Sequence, residues 1–352
     1  MLRVTAVFVL GALLVAVAGI DLFLTVFNYD GYTFLSRPFH RGLWWVVRRV
    51  APGDLALSIG SAAMLPALVV LWLGLEISGF GLMFARQLGL ADGLYLSGGA
   101  ISSLTLGDVV PHGGLGRALI TLETVVGLAT FTLALGYVVT AFGALDALED
   151  LHGYVRRHAE DPDRPSSILA RHFRGGSPSE LPSLLQSLGE SLERYDRGLR
   201  RYPVVYYFHT RRNRRSIPHV FAMLGELIAL VRWGLPASEP MTEDAFLDAL
   251  RDGYVVCLDR LRRSFVGPDP IDPPEPATRE QFDAGDDDSV RAFEELRRRA
   301  RASTHVDGAE SQDELYARYR DWFPFAYRQR VVLDRVADTL GYPRPTTLAH
   351  VR

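Results

Sequence analysis

Several features that define secreted proteins and nucleic-acid-binding proteins are missing from this sequence of 352 residues. The single cysteine, Cys257, cannot form an intrachain disulfide, which excludes a disulfide framework of the secreted kind. Lysine is absent, so every basic side chain is arginine; we attribute this to codon usage and infer no function from it. The net charge of −3 gives no reason to expect nucleic acid as a partner.

Sequence signals of catalysis, metal binding and nucleotide binding are missing as well. No predicted strand leads into a G-x-G-x-x-G turn, so a nucleotide-binding regulatory domain is not indicated. The acidic run AGDDDS (284–289) lacks the alternating ligands of a calcium loop, and His209, His219 and Cys257 do not have the spacing of a metal site. Because no nucleophile, base and orienting residue can be grouped, we predict no enzyme activity, no metal and no cofactor.

Long apolar segments are present, and all three of them lie in the first 143 residues. Val4–Phe27, Leu55–Phe84 and Leu115–Gly143 each exceed the ~20 residues that a helix needs to cross a bilayer. Between the second and third lies LADGLYLSGGAISSL (90–104), which is apolar but too short to cross and suits a re-entrant helix. We therefore predict an all-α membrane protein with three transmembrane helices and one re-entrant helix.

The first apolar segment also contains a pattern that resembles a signal-peptide cleavage site, Ala16-Val17-Ala18. However, the apolar run continues to Phe27, which is longer than a signal h-region, and only Arg3 supplies a basic n-region. We expect a retained transmembrane helix, with cleavage as the alternative.

The distribution of arginine predicts the orientation of the chain. Only Arg86 lies between the second span and Arg117, whereas the loop after the first span is basic. The positive-inside rule then places residues 28–54 in the cytoplasm and the re-entrant segment outside. The region after the third span begins with Arg156 and Arg157 and is cytoplasmic by the same rule. We predict a multi-pass protein of a bacterial plasma (inner) membrane, with its N-terminus outside and its C-terminus in the cytoplasm.

The first cytoplasmic loop contains the amphipathic segment FHRGLWWVVRRV (39–50). Trp44 and Trp45 favour the membrane interface, where three arginines can contact anionic headgroups: Arg41, Arg48 and Arg49. A helix here would either act on the second span or simply anchor the protein.

The stretch between the re-entrant segment and the third span carries a family resemblance. The order of outer helix, re-entrant helix, short polar filter and inner helix, with YLSGGAISSLTLGDVVP (95–111) in its middle, resembles the pore module of tetrameric potassium channels. Such channels read like Y-F-S-x-x-T-x-T-T-V-G-Y-G-D-x-x-P. The resemblance covers residues 55–143 and implies a homotetramer, because one pore loop per chain needs four chains to close a filter. The coinciding residues are Tyr95, Ser97, Gly107, Asp108 and Pro111.

Two residues of the implied filter depart from the family. Thr105 stands at the first Gly of G-Y-G and Leu106 at its Tyr. That glycine permits a positive φ that turns a carbonyl toward the ion, whereas a β-branched residue is strained there by about 1–3 kcal/mol. We expect a wider or shorter filter that passes K⁺ or Na⁺; the alternative is a non-conducting membrane sensor or scaffold. The filter would consist of Ser103, Leu104, Thr105, Leu106, Gly107 and Asp108.

Asp108 would form a ring of four carboxylates at the outer mouth, which would concentrate cations. The alternative is an ordinary acid at a turn. Glu76 and Glu123 lie inside the spans, each roughly 12 Å below the outer surface, and are expected to support the filter, to share a proton, or simply to bond nearby hydroxyls. Asp21 is expected to pair with an arginine of the interfacial segment.

The inner helix, 117–139, supplies the predicted wall and bending points of the pore. We divide the chain into residues 1–54 (first span and interfacial helix), 55–143 (pore module) and 144–352 (helical cytoplasmic regulatory domain). Within the last region, GPDPIDPPEPATRE (267–280) is a proline-rich loop, and HTRRNRR (209–215) is either an anion-binding cluster or a solvated turn. The predicted lining and hinge residues are Gly127, Thr130, Ala134, Gly136 and Val138.

Overall fold

The structure is a computed structural model, and it describes residues 2–28, 33–50, 53–104, 108–159, 161, 164–173, 178, 180–306 and 308–345. Within these ranges all regular secondary structure is helical, which confirms the predicted fold class. The α-helices are α1 (Leu2–Phe27), α2 (Ser36–Val50), α3 (Asp54–Ala62), α4 (Met64–Leu88), α5 (Leu90–Ile101), α6 (Gly113–His158), α7 (Ser166–His172), α8 (Leu181–Arg201), α9 (Ile217–Ala229), α10 (Ala245–Leu261), α11 (Arg279–Ala284), α12 (Asp288–Thr304) and α13 (Gln312–Leu340).

The chain forms two compact units. The first consists of Met1–Ala144 and Gly198–Phe208, and the second of Leu145–Arg197 and His209–Arg352. The first unit therefore includes the last turn of α8 and the 3₁₀ helix Pro203–Tyr207 that follows it. Sequence patterns assigned this short segment to the soluble region.

Close backbone contact holds the helices of the first unit together. A Cβ atom at Gly79 of α4 would lie 2.7 Å from the carbonyl oxygen of Gly11 in α1. A Cβ atom at Gly93 of α5 would lie 2.6 Å from the carbonyl oxygen of Gly81 in α4. Such small-residue contacts are how membrane helices pack without a hydrophobic driving force between them.

The predicted second span, Leu55–Phe84, is two helices rather than one. Helix α3 ends at Ala62, and α4 begins at Met64 with Pro66 in its first turn. Proline has no N–H to donate to the carbonyl four residues earlier, but it is tolerated in the first turn of a helix, so the chain restarts there. The membrane-spanning helix is Met64–Leu88.

Among the residues that the structure describes, four helices are long and apolar enough to cross a membrane: Thr5–Phe27, Met64–Leu88, Gly113–His158 and Ile217–Gly234. The first three correspond to the predicted spans. In Ile217–Gly234, the protein itself buries 89% of the apolar stretch, so this segment is a core helix of the second unit.

Local side chains mark the helix boundaries of the second unit. Helix α13 runs through Pro324 without a break. Helix α10 is capped by Asp244, whose carboxylate accepts from the Phe246 N–H at 2.8 Å, and Thr242 lies in the preceding 3₁₀ turn. The proline-rich stretch 267–278 is irregular, as expected.

Candidate functional site

Helix α5, the predicted pore helix, is held from two sides at its C-terminal half. The Ser97 hydroxyl lies 3.0 Å from the Ile77 carbonyl oxygen in α4 and also hydrogen-bonds the Glu123 carboxylate in α6. A Cβ atom at Gly127 of α6 would lie 3.0 Å from the Cα of Ile101, the last residue of α5. The outer and inner helices therefore fix where the pore helix ends.

The chain turns sharply at Ser103, just after α5. Ser103 adopts φ 59°, its N–H donates to the Ala100 carbonyl at 3.2 Å, and the Leu104 N–H donates to the Gly99 carbonyl at 2.8 Å. This pair of bonds is the Schellman helix end, in which glycine is the usual left-handed residue. A serine in that position reverses the chain at the first residue of the predicted filter.

Asp108 returns to the pore helix on the far side of the filter. The Tyr95 hydroxyl lies 3.2 Å from both carboxylate oxygens of Asp108. Both side chains are exposed, so the carboxylate is oriented by α5 and is not covered by its own chain. Ser103 and Leu104 are also exposed, while three predicted filter residues lie outside the described residues: Thr105, Leu106 and Gly107.

Glu76 and Glu123 are fully buried and bond to hydroxyls on neighbouring helices. The Thr130 hydroxyl of α6 donates to Glu76 Oε1 at 2.7 Å, and Ser97 is the partner of Glu123. In each carboxylate the other oxygen has no hydrogen-bond partner among the described residues. Ser102 bonds the carbonyl of Gly98 in its own helix. The two acids therefore join the outer, pore and inner helices to one another, and a direct role in the filter stays a prediction.

The structure separates the residues predicted to line the pore. Thr130 and Ala134 are 1% and 3% exposed, so they face the interior of their own chain and do not suit a passage between chains. Gly127 contacts α5, whereas a Cβ atom at Gly136 would meet nothing within 4 Å. Val138 is half-buried. The opposite face of α6 carries an exposed apolar stripe: Leu128, Phe131, Leu135, Val139 and Phe142.

Asp21 is a buried residue whose hydrogen-bond partners differ from those expected from the sequence. It was expected to pair with an arginine, but its partners are the Leu35 N–H at 2.8 Å, the Ser36 N–H at 3.3 Å, the Ser36 hydroxyl and the Trp72 indole N–H at 3.0 Å. Thr25 shares a further bond with Ser36 at 2.9 Å. The Asp21 carboxylate thus fixes the start of α2 to α1 and α4, where the partial positive charge of a helix N-terminus favours an anion.

A second unpredicted feature is an aromatic contact between Gly198–Phe208 and the rest of the first unit. The segment reaches both α2, the predicted interfacial helix, and α6, the predicted inner helix. The only sequence signal is the run of aromatic residues in YPVVYYF (202–208). The ring centroids are 5.9 Å apart for Trp44 and Tyr207, 5.6 Å for Tyr137 and Tyr202, and 5.8 Å for Phe142 and Phe208.

Comparison with known proteins agrees with this geometry. Residues 66–144 match the model of a family described as Ion channel. The chain is also similar to a protein of Bacillus subtilis (strain 168), "Uncharacterized membrane protein YdjJ", with 23% identity over 285 residues that cover 76% of this chain and 82% of that protein. No solved structure matches. The matched residues contain most of α4, all of α5 and the membrane part of α6, so the resemblance to a channel-like pore module is confirmed.

Proposed function

We propose that this protein is a homotetrameric pore-loop channel that conducts K⁺ or other monovalent cations across the plasma membrane. The observation that carries the proposal is the pore helix between α4 and α6, whose Tyr95 holds Asp108 beyond the filter position. This arrangement lies within the residues that match an ion-channel family. A carboxylate that is held in place and open to solvent is suited to concentrate cations at a pore mouth.

Four chains are needed because each contributes one pore loop. The side chains of α6 that are exposed in one chain support this: Leu128, Leu135 and Val139 are 64%, 67% and 64% exposed. An apolar stripe of this kind requires lipid or a second copy of the chain to cover it. In the proposed tetramer this stripe would face the α6 helices of the other copies around the central passage, so we assign the pore wall to it instead of Thr130 and Ala134.

Gating would act through the inner helix. The segment Gly198–Phe208 contacts α6 through Tyr202 and α2 through Tyr207, and it is continuous with α8. Movement of that segment would therefore displace both α2 and α6. In α2, Trp45 is 68% exposed beside Arg41 and Arg48, which suits contact with anionic headgroups on the cytoplasmic side.

Thr105 and Leu106 favour a second function. A chain that has lost the glycine and tyrosine of the filter can keep the architecture as a non-conducting sensor or scaffold. The two proposals differ in whether the native chain passes cations at all.

Ion flux into liposomes that contain the purified full-length protein separates them. We expect the native chain to admit K⁺ and Na⁺, and the double variant Thr105→Gly, Leu106→Tyr to become more selective for K⁺. Flux in the double variant alone would support the non-conducting scaffold. The matched control is Thr121→Gly, Leu122→Tyr on α6, at exposed positions away from the filter. Light scattering of the solubilised protein tests the tetramer, and protease access to residue 1 in sealed vesicles tests the external N-terminus.

A further inference from the structure

The second unit contains a cavity of about 460 Å³ that the proposed channel activity does not use. Its walls come from α10, the π-helical turn Arg262–Val266, the proline-rich stretch after that turn, and α13. Sites for small organic molecules have volumes of roughly 300–1,000 Å³, so this space suits a single small ligand.

The proline-rich wall is pinned at both ends, which keeps the space open. At one end the Arg262 guanidinium, itself bound to Asp259 at 2.7 Å, donates to the Pro268 carbonyl oxygen at 2.8 Å. At the other end the Tyr319 hydroxyl accepts from the Ala277 N–H at 3.0 Å, and the Tyr316 hydroxyl donates to the Ala277 carbonyl at 3.2 Å. The residues between, Pro270–Asp272, form the outer wall.

The floor of the cavity is apolar and aromatic. The Trp233 and Phe325 rings lie 5.1 Å apart, and the Trp233 indole N–H donates to Asp321 Oδ2 at 2.9 Å, which fixes the orientation of the indole. Leu258 and Val332 complete this surface and are almost fully buried. An apolar or aromatic group of about the size of a phenyl ring would bury its surface here.

The charged side chains of the cavity divide into those with and those without a protein partner. Arg262 and Asp259 neutralise each other, and Arg251 pairs with Asp252 at 3.1 Å outside the cavity. The Asp321 carboxylate accepts from the Trp233 indole, whereas Arg328 and Asp272, both exposed, have no ion pair or hydrogen bond with another residue that the structure describes. Arg328 and Asp272 are therefore accessible to opposite charges on a ligand.

The arrangement along α13 places these features in order. Asp321, Phe325, Arg328 and Val332 recur at intervals of four, three and four residues, so they form one stripe that faces the cavity. Phe325 and Arg328 are three residues apart, about 4.5 Å along the helix axis, and share one face of α13. A carboxylate bound to Arg328 would therefore bring an adjoining apolar group to the Phe325 ring.

We propose that this cavity binds a small zwitterion with an apolar body, of the chemical class of the apolar and aromatic amino acids. Arg328 binds the carboxylate, Asp272 binds the ammonium group, and the Trp233–Phe325 surface holds the side chain. The proposal concerns binding alone and does not rest on ion conduction.

Calorimetric titration of the full-length protein in detergent tests it with three matched probes. L-phenylalanine carries both charges, phenylethylamine lacks the carboxylate and 3-phenylpropionate lacks the ammonium group. We expect L-phenylalanine to bind roughly tenfold more tightly than either probe, because each loses one charge-assisted hydrogen-bonded contact. No saturable binding of any probe, or equal binding of all three, would overturn the proposal.

Two charge variants assign the contacts. Arg328→Gln should weaken L-phenylalanine roughly tenfold and leave phenylethylamine unchanged, and Asp272→Asn should do the same with 3-phenylpropionate as the unchanged probe. Arg335→Gln, an exposed arginine of α13 that does not line the cavity, is the control and should alter nothing. Equal weakening of all probes by Arg328→Gln would contradict the assignment of the carboxylate.

A third variant tests the cavity without changing charge. Val255 lines the cavity and is 43% exposed, so Val255→Trp should fill the space from the α10 side without opening the core. We expect all three probes to lose binding while thermal unfolding is preserved. Unchanged binding of L-phenylalanine in this variant would place its site elsewhere and overturn the proposal.

Discussion

The Trp72 indole N–H donates a hydrogen bond to the Asp21 carboxylate at 3.0 Å, and both residues are fully buried. This bond joins α1 to α4 at the level where Asp21 also accepts from the backbone N–H of Leu35 and Ser36. The Asp21 side chain therefore connects the start of α2, the predicted interfacial helix, to both α1 and α4. The same Trp72 ring lies 6.2 Å from Tyr137 of α6, so the contact continues to the inner helix.

Removal of the indole donor should weaken this connection. Trp72→Phe keeps most of the ring volume but leaves one lone pair of a buried carboxylate without its donor, which costs about 1.5–3 kcal/mol for a bond to a charged group. We expect a lower unfolding temperature of the detergent-solubilised protein. Trp45→Phe is the control, because Trp45 is 68% exposed, and it should change little. If Trp72→Phe and Trp45→Phe change the unfolding temperature equally, the hydrogen bond to Asp21 does not contribute to stability.

The length of the apolar segments was sufficient to predict the membrane helices, because crossing a bilayer imposes a minimum length that the sequence displays directly. The start of the re-entrant helix at Leu90 was predicted for the same reason. The break at Ala63 was not, since Pro66 is compatible with both a continuous membrane helix and a new helix start. Local sequence does not distinguish these cases.

Side-chain contacts between residues that are distant in sequence could not be predicted from the sequence. Asp21 meets Leu35 and Trp72 because the chain returns after α1 and because α4 packs against it, and neither fact is visible in the residues around Asp21. The burial of Thr130 depends likewise on which side of α6 faces α4. Both sides of α6 are apolar, so hydropathy does not identify the buried side.

Gly127 and Gly136 are both predicted bending points of α6. Substitution of each by alanine should change the stability of the protein in different ways. A methyl group at Gly127 would lie 3.0 Å from the backbone of Ile101, so Gly127→Ala should displace the pore helix and cost about 1–3 kcal/mol in stability. A methyl group at Gly136 meets nothing within 4 Å, so Gly136→Ala should be neutral or stabilising by up to about 1 kcal/mol. Thermal unfolding measures both. Two neutral substitutions would contradict the close contact of α6 with α5.

The hydroxyl of Thr130 should matter more than that of Thr132. Thr130→Val removes the only donor to Glu76 found in the described chain, and a buried acceptor left without a partner costs about 1–3 kcal/mol. Thr132 is exposed and donates to the Leu128 carbonyl of its own helix, so Thr132→Val should be close to neutral. Chemical denaturation in mixed micelles compares the two. A larger loss from Thr132→Val would contradict the assigned role of Glu76 in joining α4 to α6.

The buried His40 of α2 should make stability depend on pH. Burial lowers the pKa of the His40 imidazole to about 4, although the Asp21 carboxylate opposes this effect. In the unfolded chain the pKa is about 6.5, so between these values only the unfolded chain binds the proton. Stability is therefore full above about pH 6.5 and should fall by about 3 kcal/mol as the pH drops toward 4.

His40→Gln isolates this contribution from other titrating groups. Over the same pH range, we expect the free energy of unfolding to fall by about 3 kcal/mol less in His40→Gln than in the native protein. His112→Gln is the control, because His112 is exposed. The prediction is wrong if the native protein and His40→Gln show the same pH dependence.

The most direct test of the central claim is the reversal potential of currents through planar bilayers that contain the purified native protein, with K⁺ on one side and Na⁺ on the other. We predict cation currents that reverse close to zero, because Thr105 disfavours the backbone conformation that fully dehydrates K⁺ in this family. In a gradient of one salt the reversal should follow the cation, and Asp108→Asn should reduce the cation current. No current at any voltage, or reversal at the chloride equilibrium potential in the gradient of one salt, would contradict a cation channel.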